Sequence, residues 1–249
     1  MVVSAVKADC DPFGRKVNHC ADAKATSQSR VTLDRGTPKR DPMLDHSIDA
    51  AGVHEKRGFM CNLYKLKPAR SEIIGLFRAA DSWHSDMAKD YVSPGLEGPV
   101  VVAHDCGRIS GLMTWGLPNA GKLVTNVRNL DSPFWRDMLA RPRHRCLVPA
   151  SAFQEWSEKP DPLTKKKQPY WYSIPTRPLF AFAGIWRKVD GQPCFAFLTT
   201  EPNSLIAAVH PKAMPVILDE VDYDTWLCGD WSDALRLVSA YPAQLMVAK

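Results

Sequence analysis

The chain has 249 residues, with 32 Lys and Arg against 27 Asp and Glu, a formal charge of +5 and a pI near 8.8. That balance permits a polyanionic partner without requiring one, because many mildly basic proteins never touch nucleic acid. Seven cysteines, Cys10, Cys20, Cys61, Cys106, Cys146, Cys194 and Cys228, form no CxxC pair. This argues against a zinc framework and a disulfide scaffold, and for a reducing compartment, the cytoplasm.

Residues 1–59 carry only Phe13 and Phe59 as aromatics, whereas every Trp and Tyr lies after Met60. Such a segment buries too little apolar surface to offset its ordering entropy, so it is expected to be a disordered leader or a misassigned start. It has no apolar h-region of a secretory signal and no run of 18 apolar residues, so no membrane association is expected. Residues 60–249 suit one globular domain.

Within that domain, Cys61 to Leu66 reads as a short strand, and Pro68 to Ala80 as a helix with Ile73, Ile74 and Phe77 on its apolar stripe. Pro99 to Ala103 and Arg108 to Leu117 read as strands, the second placing Ile109, Gly111, Met113 and Trp115 on one face. Ser132-Pro133 opens a helix that Arg141-Pro142 stops. Cys146 to Trp156 and Tyr170 to Ile174 read as β, and Leu179 to Arg187 with Cys194 to Thr200 form a hairpin around Asp190-Gly191. A short helix over Asn203 to Val209, a strand over Met214 to Leu218 and helices over Val221 to Leu227 and Ser232 to Val238 complete the chain. Strands dominate the middle without βαβ alternation. The expected fold is α+β, a single domain around a mainly antiparallel sheet or partly closed β-barrel with peripheral helices.

Met60-Cys61 is the chemically richest point. If the working protein begins at Cys61, one residue carries a free α-amine, ordinarily near 7.7–8.0, and a thiol near 8.5, both nucleophilic close to neutrality. Inside a strand, the same cysteine would be a small buried hydrophobe. Other polar residues stand at turns or strand ends: Asn126 and Arg128 after a Gly-containing turn, Glu155 between Gln154 and Trp156, and His210 before Pro211. Singly, each has an ordinary structural explanation. Arg141, Arg143, His144 and Arg145 are candidates for a phosphate groove, and Lys165-Lys166-Lys167 reads as a solvated loop.

Taken together, Met60-Cys61-Asn62-Leu63-Tyr64, Trp115-Gly116-Leu117-Pro118, Asn126-Val127-Arg128, Arg145 to Pro149 with Phe153-Gln154-Glu155-Trp156, and His210 before Met214 to Leu218 resemble the ordered motifs of the SRAP family. These are the SOS response-associated peptidase-like proteins that process abasic sites. The resemblance covers residues 60 to about 240. It implies that the family's catalytic cysteine, asparagine, glutamate and histidine fall on Cys61, Asn126, Glu155 and His210, and its phosphate-binding arginine on Arg128. The family's Met-Cys-Gly-Arg start reads Met60-Cys61-Asn62-Leu63 here. Pro211-Lys212-Ala213 separates His210 from Met214, one residue longer than the usual spacing, with Lys212 in the arginine's place.

The activity implied is a covalent crosslink to abasic sites in single-stranded DNA, a thiazolidine built on an N-terminal Cys61, within the DNA-damage response; lyase and self-cleaving peptidase activities accompany it. Trp115 is a candidate base-stacking platform, with plain core packing as its alternative. No metal or organic cofactor is indicated, and a monomer is expected. Two other readings stay open. In one, Cys61, His210 and Asn126 or Glu155 form a cysteine peptidase that removes the leader; in the other, the domain binds single-stranded DNA without catalysis.

Overall fold

The computed structural model describes residues 63–83, 90–104 and 107–249. Met60, Cys61 and the segment 1–59 lie outside the described residues, and with them the expected leader and the expected N-terminal cysteine nucleophile. Strand β1 (Tyr64–Lys65) leads into helix α1 (Arg70–Phe77), whose Glu72 carboxylate accepts from the Ala69 amide at 2.7 Å. The predicted helix runs on to Ala80, but Arg78 takes the left-handed φ of 48° and ends it, and Ala79–Asp81 becomes strand β2. Next come β3 (Tyr91–Val92), β4 (Glu97–His104) and β5 (Gly107–Trp115). A small hairpin, β6 (Leu117–Asn119) and β7 (Lys122–Val124), precedes β8 (Asn126–Val127).

Helix α2 (Arg136–Ala140) begins later than Ser132-Pro133 suggests, because residues 133–135 form a turn first. The single strand expected over Cys146 to Trp156 is two, β9 (Arg145–Ala150) and β10 (Ala152–Trp156), which enter different sheets. Ser151 makes the break: its amide donates to the Lys65 carbonyl and its hydroxyl accepts from the Lys67 amide, so the chain turns there from one sheet to the other. Strand β11 (Pro169–Ser173) is followed by the hairpin β12 (Phe180–Val189) and β13 (Gln192–Thr200). Its two-residue turn has φ 50° at Asp190 and 82° at Gly191, the conformation that Asp-Gly favours. Helix α3 (Ser204–Ala207) is capped by Asn203, whose side chain accepts from the Ile206 amide. β14 (Met214–Pro215), β15 (Ile217–Leu218), α4 (Tyr223–Cys228), α5 (Trp231–Arg236) and β16 (Val247–Ala248) finish the domain.

The long strands pair in the order β13-β12-β9-β4-β5, and β5 returns to β13 through a parallel pairing, Cys194 with Thr114 and Phe195 with Trp115. The α+β expectation therefore holds, with the barrel closed. A second, five-stranded sheet runs β16-β11-β10-β1-β3. Period-two alternation sorts each barrel strand between two cores. Val100, Val102, Cys146, Val148, Phe180, Phe182, Phe195 and Phe197 join Tyr64, Phe153 and Tyr172 of the second sheet. Val101, Leu147, Ala181, Ala183, Ala196 and Leu198 pack instead with Ile73, Phe77, Tyr223 and Trp226 from the helices. Gly184 is required by this packing, since a Cβ there would lie 2.7 Å from Cys146 Sγ and 2.9 Å from Val148 Cγ2. Among the described residues, no helix is long and apolar enough to cross a membrane.

Candidate active site

Glu155 and His210 reach one another from distant parts of the sequence. Strand β10 pairs Phe153 with Tyr64 of β1 on one side and with Tyr172 of β11 on the other. Two residues further along β10, Glu155 is therefore on the same face as Phe153, toward the aromatic core. His210 follows α3: its amide donates to the Ile206 carbonyl at 2.7 Å, and the Glu158 amide holds the Val209 carbonyl at 3.0 Å. The result brings His210 Nε2 within 3.8 Å of Glu155 Oε2, with the two residues 4% and 1% exposed. An acid and a base so deeply buried are costly for a fold of this size, which marks the pair as a functional candidate.

Burial is the largest influence on the His210 imidazole and pushes its pKa below the ordinary value. A hydrogen bond to the Trp156 backbone opposes that, Lys212 and Lys167 lower it further, and Glu158 raises it. The ring is thus neutral near pH 7, a proton acceptor rather than a standing proton donor. Tyr172, on the core-facing side of the neighbouring strand, has its phenol pushed up to about 12 by burial and then by the nearby Glu155.

Asn126 arrives by another route. It lies on β8, which pairs in parallel with β13, Asn126 opposite Phe197. It is 4% exposed, and its amide donates to Thr125 Oγ1 at 3.0 Å. The turn-satisfying role that its sequence setting suggests gives way to a strand position on the face that Phe197 and Thr199 occupy. Thr199 is buried, and its hydroxyl has no hydrogen-bond partner among the described residues. Thr200 pairs with Met214, four residues after His210, so the end of β13 is where the Asn126 and His210 segments gather. Thr199 and Tyr172 were missed in the sequence. The readable signal was a hydroxyl in phase with core residues, Phe195 and Phe197 for the first and Phe153 across the register for the second.

Arg128 forms an ion pair with Glu201, whose side chain is 78% exposed, so the arginine sits at the rim with an exposed partner. Lys212 is exposed. Two sequence-based candidates are corrected. Trp115 is fully buried, its ring stacked 5.1 Å from Phe197 and its indole N–H donated to the Thr125 carbonyl at 3.1 Å. It takes the core-packing alternative, and offers no face to a base. Arg145 is also fully buried, donating to the Trp226 and Gly229 carbonyls at 2.9 and 2.7 Å, so it is held inside the fold, whereas Arg141 and Arg143 of the same run are exposed. Among the described residues, no three His, Cys, Asp or Glu side chains gather to hold a metal ion.

A family described as SOS response associated peptidase (SRAP) matches residues 60–249. The chain belongs to the SRAP family. It is 33% identical over 132 residues to the abasic site processing protein YoqW of Bacillus subtilis, covering 47% of this chain and 56% of that protein. It thus spans little more than half the length of this relative. It is 28% identical over 185 residues to YoaM of the same organism, also an abasic site processing protein, covering 68% of this chain and 79% of that one. Crystal structures of a Bordetella bronchiseptica protein (TM-score 0.63, 21% identity, 76% of this chain and 98% of that one) and a Bacteroides thetaiotaomicron protein (0.61, 20%, 76% and 90%) share the SRAP fold seen here.

Proposed function

We propose that this SRAP domain processes abasic sites in single-stranded DNA by joining the damaged sugar to Cys61, acting as the N-terminal residue. The observation that carries the reading is the buried pair of His210 with Glu155, the latter on β10, which borders β1. Cys61 stands three residues before Tyr64, and at no more than about 3.6 Å per residue its amine and thiol are tethered within roughly 11 Å of that strand. The curated relatives named as abasic site processing proteins support the same substrate.

In this scheme the Cys61 α-amine adds to the ring-opened aldehyde carbon, and the carbinolamine loses water to give an imine. The sulfur then adds to that carbon as its proton passes to the nitrogen, which closes the thiazolidine. The net change is aldehyde plus aminothiol giving thiazolidine plus one water. In this scheme Glu155 delivers a proton to the departing hydroxyl. A neutral His210 suits taking the proton from the thiol and passing it to the imine nitrogen, and the reverse transfer reopens the ring. Asn126 orients the amine or sugar through hydrogen bonds. Arg128 and Lys212 contact phosphate, the guanidinium exchanging its Glu201 partner for a phosphate oxygen. The working form begins at Cys61, with Met60 and residues 1–59 absent from it.

Protein beginning at Cys61, mixed with abasic single-stranded DNA and run on a denaturing gel, should give a shifted band. Cys61→Ala should not. Absence of the band with correctly processed protein would overturn the proposal. A second reading follows from the family description: the same pair activates the Cys61 thiol to cleave the peptide bond before it. Intact mass of the full chain after expression, wild type against Glu155→Gln, separates self-cleavage from removal of the leader by other means.

A further inference from the structure

Strand alternation gives the second sheet a face turned away from the aromatic core, and that face has its own chemistry. Lys65 pairs with Ala152 on one side and Tyr91 on the other, and Gln154 pairs with Trp171. Together with Trp156, two residues beyond Gln154, these side chains share one surface. Ala152 is small enough for the Lys65 chain to cross over it, and the ammonium lies 3.9 Å from the centre of the Trp171 ring. Lys65, Tyr91, Trp156 and Trp171 are all partly exposed. Glu155, the one carboxylate of β10, points to the opposite side.

We propose that this face is a second nucleic-acid contact, on which an unpaired base of the strand flanking the abasic site stacks against Trp171 while the Lys65 ammonium pairs with a neighbouring phosphate. The inference rests on the abasic-site reading above and extends its binding surface. A cation beside partly exposed aromatic rings, with no Asp or Glu side chain on this face of β1, β10 and β11 among the described residues, complements a single strand, which offers stacking faces and phosphates in alternation. A base taking the ring displaces the ammonium, and the adjoining phosphate receives it. Lys65 is also four residues after Cys61, at most about 14 Å of chain, so nucleotides adjacent to a sugar held at Cys61 come within reach of this surface.

The test uses protein starting at Cys61 and an intact single-stranded oligothymidylate, with affinity measured by fluorescence anisotropy over a potassium chloride series. Trp171→Ala should weaken binding roughly 5- to 150-fold, the range of one lost base–aromatic stack. Trp171→Phe should restore most of it, which separates stacking from a folding defect. Lys65→Gln should lower the salt slope by about one phosphate contact. All three variants should still crosslink abasic DNA at saturating concentration. Trp171→Ala binding within twofold of wild type, or an unchanged salt slope in Lys65→Gln, would overturn this inference even while crosslinking proceeds. Failure of wild type to crosslink would strike the abasic-site reading instead.

Discussion

Replacing Glu155 with glutamine keeps the shape of a side chain that is 1% exposed and removes its capacity to exchange a proton. General acid–base groups contribute about 10²–10⁴ in rate, or roughly 2.7–5.5 kcal/mol of barrier, so Glu155→Gln should slow crosslinking by that factor. His210→Asn should fall in the same range, its amide still able to engage the Trp156 carbonyl that the imidazole engages now. The 3.8 Å separation adds a sharper expectation. Groups this close that pass protons in one sequence are coupled, by about 0.5–3 kcal/mol in double-mutant cycles. The double variant should therefore be less impaired than the product of the single losses, because either change alone already breaks the relay. The assay is single-turnover crosslinking of abasic single-stranded DNA by protein beginning at Cys61, quantified on denaturing gels, with affinity for intact DNA as the control. Additivity within about 0.5 kcal/mol would refute a shared role, and a Glu155→Gln rate within threefold of wild type would remove Glu155 from the mechanism altogether.

Because the scheme needs both a neutral α-amine and a neutral His210 ring, crosslinking should rise with pH in two steps: an upper one set by the α-amine, ordinarily near 7.7–8.0, and a lower one below the ordinary 6.5 of His210 that moves upward in Lys212→Gln, which removes a charge opposing protonation. Stability should follow the same sign. His144 and His210 both have lowered folded pKa values, so the unfolded chain binds protons first as pH falls through 6.5, and thermal melts should show the midpoint decreasing from there downward. Glu201→Gln should free Arg128 and tighten binding to single-stranded DNA, whereas Arg128→Ala should weaken it and reduce the salt slope by about one, both read in salt titrations. Trp115→Ala should cost about 3–5 kcal/mol in denaturant unfolding, as expected for a core tryptophan.

Much of the fold was legible because its signals are local. Asp190-Gly191 between two apolar alternating runs specifies the hairpin, and Asn203 before Ser204 specifies the α3 cap. The split of β9 from β10 was not legible, since nothing in residues 146–156 alone says that Ser151 will be pinned by Lys65 and Lys67, more than eighty positions earlier. Closure of the barrel through β5 and β13 is likewise a long-range pairing. Trp115 and Arg145 show the same limit in side chains: a tryptophan in a strand and an arginine in a basic run look like binding groups until the Phe195–Phe197 stack and the Trp226 and Gly229 carbonyls claim them.

The position of the candidate site follows from that same split. Had residues 145–156 stayed one strand, Glu155 would have continued the barrel wall. The turn at Ser151 instead sends β10 into the second sheet beside β1, which places Glu155 against the core that the two sheets share. The α3 turn and the Glu158–Val209 hydrogen bond then deliver His210 to the same seam. Under the proposed mechanism, a pair set at a sheet junction has its geometry fixed by its surroundings, so it would need little reorganisation during proton transfer. Its burial also explains the neutral imidazole. The cost is two polar groups in an apolar setting, and a fold under no functional demand would have replaced them with residues like Phe153 and Ile206, which lie beside them in sequence and fill the core.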